Sequence, residues 1–187
     1  MDLTAQLLEQ LTFHWQSRAR PRLEGLRDDE YLWEPVPGCW SIRSRAEATS
    51  AMAAGGGDLV IDFAWPEPEP APVTTIAWRL GHVIVGVFGA RNAAHFGGPP
   101  VDYLTAEWAP DASGALTQLD DAYDRWVAGV RGLDEEGLAR PVGPAEGDWA
   151  DLPYVALVLH VHREAIHHLA EVALLRDLHL RQGPAAT

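Results

Sequence analysis

The chain has little cysteine and little positive charge. Its single cysteine, Cys39, excludes an internal disulfide. A chain without disulfides is typical of a reducing compartment, so we expect a cytoplasmic protein. Fourteen Lys and Arg residues stand against 27 Asp and Glu residues, which gives a formal net charge of −13. Without a basic stripe to displace counterions from phosphates, nucleic acid is not an expected partner.

Membrane segments are missing from the sequence as well. No apolar run approaches the ~20 residues that a helix needs to cross a bilayer. The first residues, Met-Asp-Leu-Thr-Ala-Gln, lack the basic start and the apolar stretch of a signal peptide. We therefore expect no membrane association. The length of 187 residues suits one domain over 1–187.

Apolar residues recur at helical spacing in four parts of the chain, and no alternating pattern is strong enough to predict a sheet. The predicted helices are 3–26, kinked or ended by Pro21; 76–96, capped by Thr74 or Thr75; a third from the cap Ser113 to Gly132; and 154–177, with Asp151 available as a cap. Four such helices with long connections predict an all-α fold, an antiparallel four-helix bundle.

The connection 27–72 has little periodicity but contains three tryptophans, Trp33, Trp40 and Trp65. Disordered linkers are poor in aromatic residues, so we interpret this connection as a cover over the bundle. Residues 59–65 fit either a short strand or an extended apolar segment. The helix 76–96 contains glycines at 81, 86 and 89, each of which weakens a helix by up to ~1 kcal/mol against alanine. We expect close packing against a neighbour to compensate.

One face of the helix 154–177 combines apolar and ionisable residues. On a helical wheel seven side chains fall within about 60° of one another. They are Leu157, His160, Val161, Glu164, His168, Glu171 and Leu175. Isolated charges do not enter a bundle core without partners. Either this face is hydrated, or a cation binds to it.

Glu164 and His168 are four residues apart, so both side chains can reach one metal ion. A third ligand must come from another helix, and His82 is the best candidate because it is central in the helix 76–96. Two imidazoles and one carboxylate, with open positions left for water, suit zinc, nickel, iron or manganese, and zinc is favoured. No catalytic residue is assigned.

Other interpretations of these residues stay open. Taken alone, His82 is more often a core histidine than a ligand. Glu164 can instead form a structural salt bridge, for which the candidate partners are Arg79, Arg91 and Arg163. Cys39 is a weak candidate for a nucleophile, because no base is visible near it in the sequence.

Neighbouring residues of the same helix offer substitutes. His160 and Glu171 lie one turn to either side of the predicted pair and replace it if the register is different. His167 lies about 60° off the stripe, which suits a supporting role better than ligation. His162 points away from the stripe.

Several motifs resemble the DinB-like metal-binding four-helix bundles. They are Gly38-Cys-Trp-Ser-Ile-Arg43, the stretch 72–82 ending in Trp-Arg-Leu-Gly-His82, Arg91-Asn-Ala-Ala-His-Phe-Gly97, and the stretch 157–168 ending in Arg-Glu-Ala-Ile-His-His168. The resemblance spans essentially the whole chain. It implies His82, Glu164 and His168 as metal ligands. Glu164 stands where many relatives have a third histidine, and Leu169-Ala170 also departs from the common pattern.

The superfamily that these motifs resemble includes thiol-dependent transferases such as mycothiol-dependent maleylpyruvate isomerase. The resemblance therefore implies a divalent-metal protein and a small-molecule substrate. An enzyme of this kind would use a low-molecular-weight thiol, as a transferase or isomerase does, or a metal-activated water. The alternative is a non-catalytic metal-binding or stress-associated structural dimer. Pairing is common among such bundles, so a homodimer is expected in either case.

Overall fold

The computed structural model describes residues 2–182, and most of them are helical. The α-helices are α1 (Leu3–His14), α2 (Asp28–Tyr31), α3 (Ile76–Gly81), α4 (Ala90–Phe96), α5 (Ala112–Arg131), α6 (Glu135–Ala139) and α7 (Tyr154–Arg181). Two strands are present, β1 (Ile42–Ser44) and β2 (Leu59–Ile61). Two stretches have the wider π-helical turn, Trp15–Ala19 and His82–Gly89. The mostly helical fold class is confirmed.

The N-terminal helical segment begins at Asp2, whose carboxylate accepts a hydrogen bond from the Ala5 amide at 2.9 Å. It runs through α1 and the π-helical stretch and gives way at Pro21 to a tight 3₁₀ turn. Proline has no amide hydrogen to donate and clashes with the preceding turn. The predicted interruption at Pro21 is confirmed.

The second helical segment begins at Thr75, whose hydroxyl accepts from the Trp78 amide at 3.2 Å. This confirms one of the two predicted caps. The segment then passes from α3 through the π-helical stretch His82–Gly89 into α4. It ends at Gly97, which adopts the left-handed φ of 67° that favours glycine. The predicted limits hold, but the middle of the segment is π-helical.

Two predicted caps are wrong. Asp111, not Ser113, caps α5, because its carboxylate accepts from the Gly114 amide at 2.7 Å. Asp151 does not cap α7, which starts directly after Pro153 without a side-chain cap. Proline fixes the backbone angle at the helix entry and needs no donor there. The last helix also runs four residues beyond its predicted end, to Arg181.

The longer helices pack around one apolar core. α7 contacts α1, α3, α6 and the π-helical stretch His82–Gly89, while α5 contacts α1, α3 and α4. Fully buried side chains of α1, α3, α5 and α7 contribute to the core, among them Leu11, Leu80, Leu119, Trp126 and Val158. No described helix is both long and apolar enough to span a membrane.

The connection 27–72 contains a small sheet, contrary to the expectation of none. β1 pairs antiparallel with β2, and Ile42 lies opposite Ile61. The strands are three residues long, which is too short for an alternating pattern to stand out in the sequence. Of the two interpretations of 59–65, the short strand is correct for Leu59–Ile61.

A buried carboxylate anchors this connection. Asp62 has no exposed side-chain surface and accepts hydrogen bonds from the Ser41 amide at 3.1 Å and from Arg43 Nε at 2.8 Å. The backbone amides of Thr49 and Ser50 donate to its other oxygen at 3.1 and 3.2 Å. Because every one of these donors belongs to the connection itself, Asp62 holds the segment in a fixed shape beside α3.

His162 provides a test of the core. Its side chain lies on α7 against Trp126, with the rings nearly perpendicular and their centroids 6.2 Å apart. Within the described residues its Nε2 has no hydrogen-bond partner, and burial lowers the pKa of the imidazole to about 4. Between that value and the ordinary 6.5, the unfolded chain binds a proton that the folded chain excludes. Stability therefore falls as the pH falls through this window.

His162→Leu should remove that dependence. Between about pH 7.5 and 4.5, we expect the free energy of unfolding of the wild type to fall by about 2 kcal/mol more than that of the variant. Urea unfolding at the two pH values, in chelator, measures the difference. His167→Leu is the control, since His167 is on the same helix but its side chain is 63% exposed. Equal losses in wild type and His162→Leu would contradict the assignment.

Candidate metal centre

His82 begins the π-helical stretch and faces α7. Its ring is held between two others: Trp78 stacks on it with centroids 5.5 Å apart, and His168 meets it edge-on at 4.7 Å. The π-helical turn inserts an extra residue into the helical repeat, so the side chains on either side of it point in directions that a regular α-helix would not give. The two histidines predicted as ligands therefore lie in direct contact across two helices.

Tyr103 fixes the orientation of His82. Its hydroxyl lies 2.6 Å from His82 Nδ1, so the tyrosine occupies that nitrogen and leaves Nε2 available. Burial lowers the pKa of His82 to about 4, helped by the nearby His168 and Arg79. Burial also raises the pKa of Tyr103 to about 12, so the phenol keeps its proton. At neutral pH His82 is thus a neutral imidazole, the form that binds metal ions.

Gly86 allows Tyr103 to approach. A Cβ at this position would lie 2.5 Å from Tyr103 Oη and 3.1 Å from His82 Nδ1. Gly81 likewise faces Ile42 and Trp108, where a Cβ would meet the nearest side-chain carbons at 3.0 and 3.2 Å. The expected close packing at these glycines is confirmed. These glycines weaken the helix, but a larger residue at either position would prevent the close packing around His82.

His168 is buried and its Nδ1 is already occupied. Glu171 Oε2 lies 2.7 Å from that nitrogen, and the same carboxylate oxygen forms an ion pair with Arg79, 3.2 Å from its Nε. The opposite nitrogen, Nε2, faces Glu164 Oε2 at 3.6 Å. A carboxylate that holds one imidazole nitrogen and leaves the other for a metal ion is the usual arrangement around protein metal sites.

Glu164 completes the predicted set. Its Oε1 accepts from Arg163 Nε and Nη2 at 3.3 and 3.2 Å, and its Oε2 faces His168. Burial opposes the ionisation of this carboxyl, but the Arg163 hydrogen bond and the adjacent imidazoles outweigh it and lower the pKa. Of the three arginines considered as partners, the structure selects Arg163. Arg79 pairs with Glu171 and Arg91 with Glu146.

A second donor set overlaps the predicted one. Among the described residues, the ligand atoms of His167, His168 and Glu171 come within 4.8 Å of one another, a spacing that His82, Glu164 and His168 do not reach together. In this second set Glu171 faces His168 Nδ1 and also lies 3.6 Å from His167 Nε2. The two sets share His168. They differ in which of its ring nitrogens is free for a metal ion.

The other candidates have different nearest partners. His160 Nδ1 lies 2.8 Å from Arg163 Nη2 and 3.8 Å from Glu164 Oε1, so this imidazole flanks Glu164 but is closest to Arg163. His162 is buried on the opposite side of α7, against Trp126. Cys39 is fully buried, its thiol donates to the Val36 carbonyl at 2.9 Å, and burial raises its pKa. A raised pKa opposes formation of the thiolate, so the geometry does not favour Cys39 as a nucleophile.

Sequence reasoning missed the supporting residues. Tyr103 comes from the loop after α4, where no spacing relates it to His82. Glu171 was considered a substitute ligand, whereas it hydrogen-bonds His168. The helical face did indicate that Glu171 and His168 are neighbours, but not which atoms would meet.

The fold and these side chains define a helical protein with an internal cluster of histidines and carboxylates between two helices. The family model of the DinB superfamily matches residues 62–172, more than half of the chain, so the chain belongs to the DinB superfamily. The match covers His82, Glu164 and His168 and ends just beyond Glu171. Searches of curated proteins and of solved structures found no match.

The close approach at Gly86 generates a prediction. Gly86→Ala should destabilise the protein by about 1–3 kcal/mol, because the added methyl group meets Tyr103 Oη, and overpacking outweighs the gain in helix propensity. The same Gly86→Ala change should cost less in a Tyr103→Phe background, since the atom that clashes is absent there. Denaturant unfolding of the wild type, both single variants and the double variant measures the two costs.

Gly132→Ala is the matched control for this comparison. The nearest atoms to a Cβ there are 3.4 and 4.0 Å away, so we expect a change within about 0.5 kcal/mol. If Gly86→Ala were as stable as Gly132→Ala, or if the change cost as much in the Tyr103→Phe background, the packing described for His82 and Tyr103 would be wrong.

Proposed function

We propose that the protein binds one divalent metal ion through His82, Glu164 and His168, and that the ion activates a small molecule in the space beside them. The observation that carries this proposal is the pairing of His168 Nδ1 with Glu171 at 2.7 Å. That pairing leaves Nε2 free on the side of Glu164 and His82. Zinc is the favoured ion, with nickel, iron or manganese as alternatives.

The residues present fit such an ion chemically. Two imidazoles and an ionised carboxylate form a donor set used by catalytic zinc and by non-haem iron, and both leave coordination positions open. When bound, the ion would lower the pKa of a coordinated thiol or water and so supply a nucleophile near neutral pH. The set is not closed as it stands, because Glu164 is also engaged by Arg163. Ligation would require that carboxylate to turn.

The chain's own residues orient the donors. Tyr103 fixes the ring of His82, and the Glu171–Arg79 pair fixes the ring of His168. Such outer partners typically change metal affinity by about 10–100-fold. Their rigidity suits a site that keeps its ligands in position while a substrate exchanges.

An aromatic wall shields the centre on one side. It consists of Trp40, Phe63, Trp78 and Tyr103, whose neighbouring rings lie 6.0–6.4 Å apart. Trp40 and Phe63 belong to the connection 27–72, and Trp78 Nε1 donates to the Asp62 carbonyl at 2.8 Å. These contacts support the interpretation of this connection as a cover over the site.

We infer an antiparallel four-helix bundle from the contacts among the helical segments 3–19, 76–96, 112–131 and 154–181. A low-molecular-weight thiol as co-substrate, a homodimer and a cytoplasmic location are likewise inferences. A thiol transferase or isomerase is the activity that the resemblance to thiol-dependent transferases favours.

Metal analysis separates the two overlapping donor sets. We expect about one zinc ion per chain in the wild type, and large losses of affinity in His82→Ala, Glu164→Gln and His168→Ala. His167→Ala should bind zinc as the wild type does. Glu171→Gln should weaken binding by about 10–100-fold, since it removes a supporting hydrogen bond and not a ligand.

The opposite pattern of losses among these variants would assign the ion to the second donor set. If His167→Ala and Glu171→Gln abolished binding while His82→Ala and Glu164→Gln kept it, the ion would belong to His167, His168 and Glu171. Circular dichroism of each metal-free variant checks that the fold is retained. No bound ion in the wild type, even after loading with zinc, nickel or manganese, would refute both assignments.

A thiol titration distinguishes an enzyme from a binding protein. With cobalt in place of zinc, a thiol that coordinates the ion should add a sulfur-to-metal charge-transfer band, and Glu164→Gln protein treated in the same way should not show it. Small thiols of different charge, tested with and without an electrophile, also report turnover. If no thiol changes the spectrum and none is consumed, the non-catalytic metal-binding alternative is the better account.

A further inference from the structure

A cavity of about 410 Å³ opens beside the candidate metal centre. It lies between α7, the segment 140–153 and the helical segment that carries Arg91. Its volume is within the ~300–1,000 Å³ typical of small-molecule sites. The lining residues are Arg91, Val142, Glu146, Trp149, Leu152, Ala156, Leu157, His160 and Arg163.

Arg91 forms a fixed cationic side of this cavity. Its Nη1 donates to the Gly86 carbonyl at 2.5 Å, and its Nη2 donates to Glu146 Oε2 at 3.3 Å. The other oxygen of Glu146 lies 2.9 Å from His95 Nε2, and the Glu146 side chain is only 10% exposed. The single carboxylate of the cavity is therefore already satisfied by protein partners.

Arg163 is the adaptable cation. Its side chain is 70% exposed, and its Nε and Nη2 are directed to Glu164 and His160. Its Nη1 has no hydrogen-bond partner among residues 2–182. A guanidinium group binds a carboxylate through two parallel N–H donors, and Arg163 can offer such a pair by turning away from Glu164.

The remaining surface of the cavity is apolar. Trp149 is 67% exposed although it is the largest side chain in the segment 140–153, and Leu152 beside it is 44% exposed. Val142 and Leu157 are buried beneath them. A large exposed aromatic residue over an apolar floor is typical of a binding site for a small organic molecule.

We propose that this cavity binds a small organic monoanion, a carboxylate attached to a flat apolar body. The carboxylate would pair with Arg163, with Arg91 adding attraction, and the body would lie on Trp149 and Leu157. Glu146 already pairs with Arg91, and Glu164 pairs with Arg163 from outside the cavity. Arg163 is therefore the one cation that a ligand can take over from Glu164, which suits a ligand with a single carboxylate. A second negative charge on the ligand would meet Glu146.

The inference deepens the proposed function by giving the class of molecule that lies next to Glu164. Its role as a substrate rests on the proposed metal centre, but binding in the cavity does not require the ion. The cavity can therefore be tested in metal-free protein, and a failure there is distinct from a failure of metal binding.

Isothermal titration calorimetry with benzoate, and with benzamide as its neutral counterpart, tests the proposal. In chelator-treated protein we expect benzoate to bind at least about 10-fold more tightly than benzamide, as a charge-assisted pair implies. Arg163→Gln should abolish this preference, whereas Arg163→Lys should retain part of it. Trp149→Ala should weaken the binding of benzoate at least about 5-fold through the loss of aromatic contact.

The matched controls are the same types of substitution made outside the cavity. Arg125→Gln removes a cation from an exposed position on α5, and Trp65→Ala removes a tryptophan that is 75% exposed. Both variants should bind benzoate as the wild type does. Equal affinity for benzoate and benzamide, or wild-type affinity in Arg163→Gln, would overturn the proposal. Repeating the titration after zinc loading shows whether the same preference persists beside the ion.

Discussion

The arrangement of the candidate centre depends on one carboxylate. Glu171 lies between Arg79 of α3 and His168 of α7, so it joins the two helices and holds the imidazole by its Nδ1. Without Glu171, that nitrogen would keep only the longer contact with Arg79 Nη1, at 3.4 Å. With the partner present, the ring has one orientation and directs Nε2 towards Glu164. The polar stripe inside an apolar helix face is thereby explained without an unpaired charge.

On the opposite side of the centre, the backbone at Gly86 packs closely against His82 and Tyr103. The π-helical stretch begins at His82, and Gly86 leaves room for Tyr103 to reach the histidine. Helix stability is lost at the glycine, and the tyrosine hydrogen bond and the aromatic wall offset that loss. The connection 27–72 takes part in this packing through Trp40 and Phe63. The candidate centre and the connection 27–72 therefore pack as one structure. The Arg163–Glu164 ion pair on α7 links the centre to the cavity.

Much of this could be predicted from the sequence. The absence of glycine and proline over 154–177 indicated α7, and the spacing of four residues put Glu164 and His168 on one face. The strands are only three residues long and the π-helical stretch only eight, so neither produces a hydrophobic repeat long enough to recognise in the sequence. The cap of α5 was wrongly placed, because Ser113 and Asp111 are both good capping residues and only backbone geometry distinguishes them. The roles of Tyr103 and Glu171 depend on side-chain rotamers and on contacts across the fold, which a helical wheel does not contain.

The central claim is that the free nitrogen of His168 is Nε2, so that an ion would lie among His82, Glu164 and His168. A crystal structure of the zinc-loaded protein, with anomalous data collected at the zinc edge, tests it most directly. An ion bound as proposed would give an anomalous peak within about 2.0–2.2 Å of His168 Nε2, His82 Nε2 and a Glu164 oxygen. Glu171 should still be paired with Nδ1. A peak bonded to His168 Nδ1 together with His167 and Glu171 would contradict the account.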